Sequence, residues 1–455
     1  MHYLEWVERA HNGEKMTKEQ WDVEYVVMKI MDLVMKYELK YHEDIIIPTD
    51  EKQIKNTFLA AKELLADIGL YYISDGKRFL VKMEEIEEAL INAKTELVMG
   101  EGKDAVTLFT RKPEDTSYPL VWAGNPGCPT PEELFKPTVM SWAKEDVVDL
   151  ITCGSLTTID GYKVVNNEAS ELLAVRRELD LLREATREVG REGMGMLAAE
   201  SAVSEVGDLA AIGPTRLRPC DSHLTVMSNE LAIDRDNMVR AASNIDYGMR
   251  NAGLTCSMVG GFGGDPAGSA VLMLASMMAN NLICRADYHL CHPIDIRHVS
   301  TSTRGCMYVH SMACQAFATY APQIIFCDVY PKSGALTKEL LYEVAANAVT
   351  ATVSGGHLEG VGAADGLVPH GTGLEVRLLG EVGRAVVDNK LTREQANTLV
   401  LKLLAKYEHV FTMEEGNPGK PFNEAYNIDT IEPVDEWLMM YEHIKKDLND
   451  LGLVL

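Results

Sequence analysis

Basic residues are scarce in this chain: 43 Lys and Arg stand against 68 Asp and Glu among 455 residues, a formal charge of −25. Such a balance repels a phosphate backbone and excludes a nucleic-acid binder. Long apolar runs are missing too. The longest, residues 269–280 (SAVLMLASMMAN), is bounded by polar residues. It falls short of the ~20 residues a membrane span needs, so a buried helix and no membrane partner are expected. The opening MHYLEWVERAHNGEK carries acids and no uninterrupted apolar core, so neither a secretory signal nor a transit peptide is visible and a cytoplasmic location is expected. Nine cysteines (128, 153, 220, 256, 284, 291, 306, 314 and 327) form no CxxC pair and are odd in number, which argues against a disulfide framework. Repeats and low-complexity segments are absent. The 46% hydrophobic and 24% charged content excludes a disordered chain and supplies a large core.

What is present divides in two. Residues 1–190 read as mainly helical, with amphipathic runs at 54–68, 83–93 and 169–182 and a stop near Gly190. They are expected to pack as an N-terminal extension. From 191 to 390, apolar or β-branched segments (194–199, 220–226, 254–259, 282–290, 294–299, 323–329 and 351–353) alternate with helical ones (238–251, 269–280, 304–320, 336–348 and 375–388). Alternation over ~200 residues predicts an α/β fold with a parallel sheet. Gly, His, Asp and Arg gather late in successive strands, which favours closure into a (β/α)8 TIM barrel with its site at that end. The polar candidates there are Glu200, Asp221, His223, His289, Arg297 and Asp328. Helices at 392–407 and 433–451 make up the C-terminal part, 391–455.

Three motifs carry little chemistry. Gly193 to Ala198 fits GxGxxA but follows a predicted helix rather than a strand, so it is not a dinucleotide fingerprint. The Gly260-Gly-Phe-Gly-Gly264 run has no Walker lysine after it and reads as a βα loop at the barrel mouth. Cys284, His289, Cys291, His292, His298, Cys306 and His310 are zinc-type ligands, yet adjacent Cys291 and His292 project to opposite faces of a strand. No metal site is assigned.

The segment TGLEVRLLGEVGRA (372–385) resembles a signature of the monomethylamine:corrinoid-protein methyltransferases of methanogenic archaea. In order along the chain the resemblance extends to Gly102-Lys-Asp-Ala105, Pro131-Glu-Glu-Leu-Phe135, Gly193-Met-Gly195, Glu200, Asp221-Ser-His223, Asn229-Glu-Leu231, Ser300-Thr-x-Thr-Arg304 and Leu451-Gly-Leu-Val454. Within the signature itself, Arg377/Glu381 and Glu381/Arg384 pairs are expected to support a helix. The resemblance implies a barrel with helical additions, a homo-oligomer, a small methylated substrate, and a separate corrinoid protein whose Co(I) accepts the methyl group. The cobalamin belongs to that partner, and no cofactor is bound by this chain. The family hallmark is pyrrolysine, assisted by two glutamates and a glutamine. Those positions fall here on Leu197, Leu224, Leu254 and Asp328.

A quaternary ammonium needs no adduct, because its nitrogen leaves as a neutral amine, and its methyls suit an apolar or aromatic surround. Leu197, Leu224 and Leu254 with Phe262, Tyr288, Phe326 or Tyr330 would provide that surround. Asp328 would complement the cation, with Glu200 and His223 as further catalytic candidates, and Arg297 or His223 would hold a substrate carboxylate, with His289 nearby. The leading reading is methyl transfer from a methylated amine, foremost a quaternary one, without pyrrolysine. Two alternatives stand beside it: zinc-assisted transfer from an O- or S-methyl donor, to which Cys220 and Cys256 would contribute, and a corrinoid-protein-binding module without catalysis.

Overall fold

The computed structural model describes residues 3–213, 215–413 and 416–455. Parallel strands Ser222–Met227, Arg250–Val259, Tyr288–Asp295, Ile325–Val329 and His357–Gly360 pair in chain order, and Val121–Ala123 and Leu150–Ile151 continue the sheet. The remaining gap is closed by two residues: Met196 bridges Ile151 and Leu197 bridges Ser222, both in parallel. Eight parallel segments thus form a closed (β/α)8 barrel. A helix follows each of them: Glu132–Ala143, Ala169–Glu188, Glu205–Ala211, Arg235–Tyr247, Pro266–Ile283, Arg304–Tyr320, Lys338–Ser354 and Gly373–Asp388. Several start on a side-chain cap, with Asp234, Asp265, Thr303, Thr337 and Thr372 each accepting from a first-turn amide. These caps fix the helix N-termini on the mouth side of the barrel.

The barrel begins at Val121, which corrects the expected boundary at 191. Its first two strands have three and two residues, too few to leave a periodic signal. Residues 194–199 shrink in the same way to the bridging pair 196 and 197. Residues 351–353 are helical, not extended: β-branched Thr350, Thr352 and Val353 lie buried at the end of Lys338–Ser354, and Gly355 caps it at φ 94°. The strand follows at His357–Gly360. Residues 282–290 divide between the end of Pro266–Ile283 and the start of Tyr288–Asp295, and 296–299 belong to a loop.

Pro266–Ile283 is, among the described residues, the one helix long and apolar enough to cross a membrane by length and composition, and 94% of it is buried in the fold. Helices Met28–Lys36 and Glu51–Ile68 pack against it, which explains why it is apolar all round. The antiparallel pair Glu96–Met99 and Val106–Phe109 sets Leu97, Met99 and Leu108 against the barrel interior and plugs its N-terminal end. At the other end of the chain, Arg393–Tyr407 and Asp435–Leu451 pack on Lys338–Ser354. Helix Gly373–Asp388 is held by tertiary partners instead of its own pairs. Arg377 binds Glu145 at 2.7 Å, Glu381 takes Lys445 at 3.0 Å, and Arg384 reaches the Asp146 carbonyl. All nine cysteines are unpaired, and seven of them are buried.

Candidate active site

Alternation along each strand sends one side chain in two toward the barrel axis. At the floor, Trp122 stacks on Tyr288 with centroids 5.2 Å apart and meets the edge of Phe326 at 5.3 Å. Leu197 and Leu290 are buried in the same cluster, with Leu224 and Leu254 packed above them. Tyr288 satisfies its hydroxyl on Ser222 Oγ at 2.7 Å. Leu224, Leu254 and Cys256 are only half-buried. An inward side chain of a closed barrel reaches solvent only through its mouth, so the mouth is open down to Leu224 and Leu254 and sealed at Leu197.

Above this floor stand three carboxyls. Asp328 and Glu359 are directly opposed on neighbouring strands, and Glu359 is in turn opposed to Trp122. Asp328 is 2% exposed and Glu359 0%. Burial and then the Asp328 charge push the Glu359 carboxyl well above its ordinary range. Two acids side by side in a dry site hold one proton between them. Glu200 enters from the segment after Leu197. Its amide donates to Glu178 Oε1 at 2.7 Å, and Thr152 donates to its Oε1 at 3.4 Å. Burial, with the Glu178 charge second, lifts the Glu200 carboxyl to about 8. Burial also raises the Cys256 thiol to about 12, with a contribution from Asp328.

His292 and Tyr330 complete the ring. His292 Nδ1 lies 2.6 Å from Asp328 Oδ2, and the Tyr330 ring meets the imidazole edge-on at 4.4 Å. Tyr330 donates to the Pro126 carbonyl at 2.6 Å. Its ring lies against two glycines: a Cβ on Gly362 would stand 2.6 Å from it and one on Gly366 2.7 Å. A Gly362→Ala variant should therefore displace Tyr330 and slow turnover about a hundredfold, the scale of a 1 Å misplacement. Steady-state kinetics check this, and a wild-type rate would show the ring position to be immaterial.

Several polar atoms here lack partners. Both Glu359 oxygens have no donor beyond the proton shared with Asp328, and Asp328 Oδ1 and Trp122 Nε1 are also unmatched. Buried polar groups are normally satisfied, and here three carboxyl oxygens and one indole N–H are not.

Of the expected site residues, the fold gathers Leu197, Leu224, Leu254 and Tyr288 in the floor, with Glu200, Asp328 and Tyr330 above it. It places the others elsewhere. His223 alternates with the inward Leu224 and faces outward, fully buried, 3.9 Å from Asp208. Burial and the Arg240 charge hold its imidazole well below the usual range. His289 also faces the helices, with Nε2 3.0 Å from Asn281 Oδ1, and burial lowers it to about 4. Arg297 lies on the outer rim, 75% exposed, paired with Asp295 at 3.2 Å. Phe262 is an exposed rim residue. Asp221 is taken up by Arg218 and Arg183. Sequence reasoning missed Glu359, His292 and Trp122. The available signal for Glu359 was His-x-Glu ahead of Gly-Val-Gly, obscured once the strand was placed at 351–353. Among the described residues no three His, Cys, Asp or Glu side chains stand close enough to hold a metal ion. His310 of the Cys/His run instead meets the Cys291 carbonyl at 2.8 Å.

The family model for monomethylamine methyltransferase MtmB matches residues 1–453. The monomethylamine methyltransferase MtmB1 of Methanosarcina barkeri is 33% identical over 453 residues, 98% of this chain and 97% of that protein. MtmB2 of Methanosarcina acetivorans is 32% identical over 452 residues, again 98% of this chain and 97% of that protein. The crystal structure of the M. barkeri monomethylamine methyltransferase aligns with a TM-score of 0.96 at 31% identity, over 100% of this chain and 98% of that one. A crystal structure of a hydroxylamine complex of MtmB gives the same score and coverage.

Proposed function

Since this chain belongs to the monomethylamine methyltransferase family, we propose that it moves a methyl group from a methylated ammonium, foremost a quaternary one, to the Co(I) of a corrinoid on a separate protein, without pyrrolysine. One observation carries the reading: an apolar, aromatic floor of Leu197, Leu224, Leu254 and Trp122 beneath a ring of Asp328, Glu359 and Glu200. Leucine forms no adduct with an amine, and a quaternary nitrogen requires none. As the carbon–nitrogen bond breaks, its electron pair remains on nitrogen and a neutral amine departs. The corrinoid supplies the electron pair of the new cobalt–carbon bond. This chain's contribution is positioning: half-buried Leu224 and Leu254 receive the methyls, the acids hold the charge, and the open mouth presents one methyl outward. Exposed Val203, Phe262, Ile296, Val299 and Leu367 on the mouth loops suit a rim that a partner protein covers.

The test is incubation with Co(I) corrinoid protein and a donor panel, followed by absorbance of methyl-Co(III). Cationic N-methyl donors should react while O- and S-methyl donors stay inert. Silence with every donor would leave only the binding-module alternative.

Donor affinity should also depend on pH. Glu178 and Asp328 disfavour ionisation of Glu200, whereas Arg240 and Thr152 favour it. A bound cation stabilises the ionised form, so Kd should fall as pH rises through about 8. Calorimetric titration from pH 6.5 to 9 measures this, and a flat or opposite trend would remove Glu200 from contact with the cation.

A further inference from the structure

We propose that the mouth selects a methylated monocation bearing no carboxylate within one or two carbons of its nitrogen, so that a choline-like or tetraalkylammonium donor is taken and a short betaine refused. This rests on the methyl-donor reading of the site and narrows it. Asp328 and Glu359 are opposed across neighbouring strands, buried, and present unmatched oxygens inward. Below them the half-buried Leu224 and Leu254 offer apolar surface for methyl groups.

The basic side chains on the loops around the mouth are committed to acids of their own. Arg235 pairs with Glu205, Arg297 with Asp295, Arg304 with Glu408 and Lys332 with Asp365. Arg240 lies behind the barrel wall on Asp208 and the Ala202 carbonyl. His292, the imidazole in the ring, already gives its Nδ1 to Asp328 at 2.6 Å. The two groups expected to receive a substrate carboxylate, His223 and Arg297, face away from the axis. A short zwitterion whose ammonium reaches Asp328 therefore brings its carboxylate among Glu359 and Glu200 with no cation to meet it. That carboxylate would be desolvated and repelled together. A neutral hydroxyl in the same place would accept the proton that the Asp328–Glu359 pair shares.

Isothermal titration of the full chain at pH 8.5, with no corrinoid protein present, compares choline with glycine betaine, which share a trimethylammonium head. Choline should bind at least tenfold more tightly. A smaller ratio, a preference for betaine, or binding of neither ligand overturns the proposal. In a Glu359→Gln variant shown by circular dichroism to be folded, the ratio should narrow, and an unchanged ratio also overturns it. Because the titration needs no methyl transfer, the two ideas fail separately. Selective binding without turnover sinks the transferase reading alone, and turnover of betaine with choline inert sinks the selectivity alone.

Discussion

An Asp328→Asn variant should raise KM for a cationic donor by about two to three orders of magnitude, the scale on which a buried charge pair is lost. The amide keeps the shape of the carboxyl, so the floor and the His292 contact can stay in place. What disappears is the charge facing the ligand, and with it the acid that shares a proton with Glu359. Glu359 then stands beside a neutral neighbour, but burial, the larger cause of its raised carboxyl, remains, so it does not replace the lost charge. The expected signature is a KM effect larger than the kcat effect, together with an unchanged melting temperature. Unaltered KM and kcat would take Asp328 out of the site and leave the acid ring without its donor-binding role.

The second large effect concerns stability. Arg240 is 7% exposed. Behind the barrel wall it pairs with Asp208 and donates to the Leu224 and Ala202 carbonyls at 3.1 and 2.8 Å. Asp208 is fully buried, and burial lifts its carboxyl to about 6 even with the guanidinium beside it. Replacing Arg240 with Met leaves a buried acid without a counter-charge, a loss of about 3–5 kcal/mol. Asp208→Asn in the same chain should restore part of it. The pH dependence follows from the sign of the shift. A carboxyl raised on folding keeps its proton where the unfolded chain has released it, so stability falls as pH rises across that window. The deficit of Arg240→Met should be greater at pH 8 than at pH 5. Thermal melts at both values check this, and an equal deficit would mean that Arg240 does not hold the Asp208 carboxyl down.

How much was legible varied with element length. Arg304–Tyr320 and Gly373–Asp388 are long helices, and the sequence pattern placed them within two residues at each end. The strands Val121–Ala123 and Leu150–Ile151 are legible only as pieces of a sheet, because so few residues in isolation carry no period. Glu359 was lost with its strand. The reason was β-branched Thr350, Thr352 and Val353, which favour a strand locally but pack at the end of a buried helix. His223 lies in a polar stretch of sequence beside Asp221, but the inward Leu224 next to it sets the opposite parity and turns His223 away from the axis. His292 was weighed only as a metal ligand, and its bond to Asp328 depends on the pairing of Tyr288–Asp295 with Ile325–Val329.

The sequence by itself determined the fold class, the acidic balance, the resemblance over nearly the whole chain, and the leucines at 197, 224 and 254. Each of these is a property of residue identity and order, which no packing changes. Tertiary structure alone decided which acids face one another. Glu200, Asp328 and Glu359 are more than 150 residues apart from first to last, and only the closure of the barrel brings them above one floor. It also decided which cations do not face them: Arg240 is spent on Asp208 and Arg297 on Asp295. A pocket's charge is set by what converges on it, and convergence is fixed by strand register and not by composition.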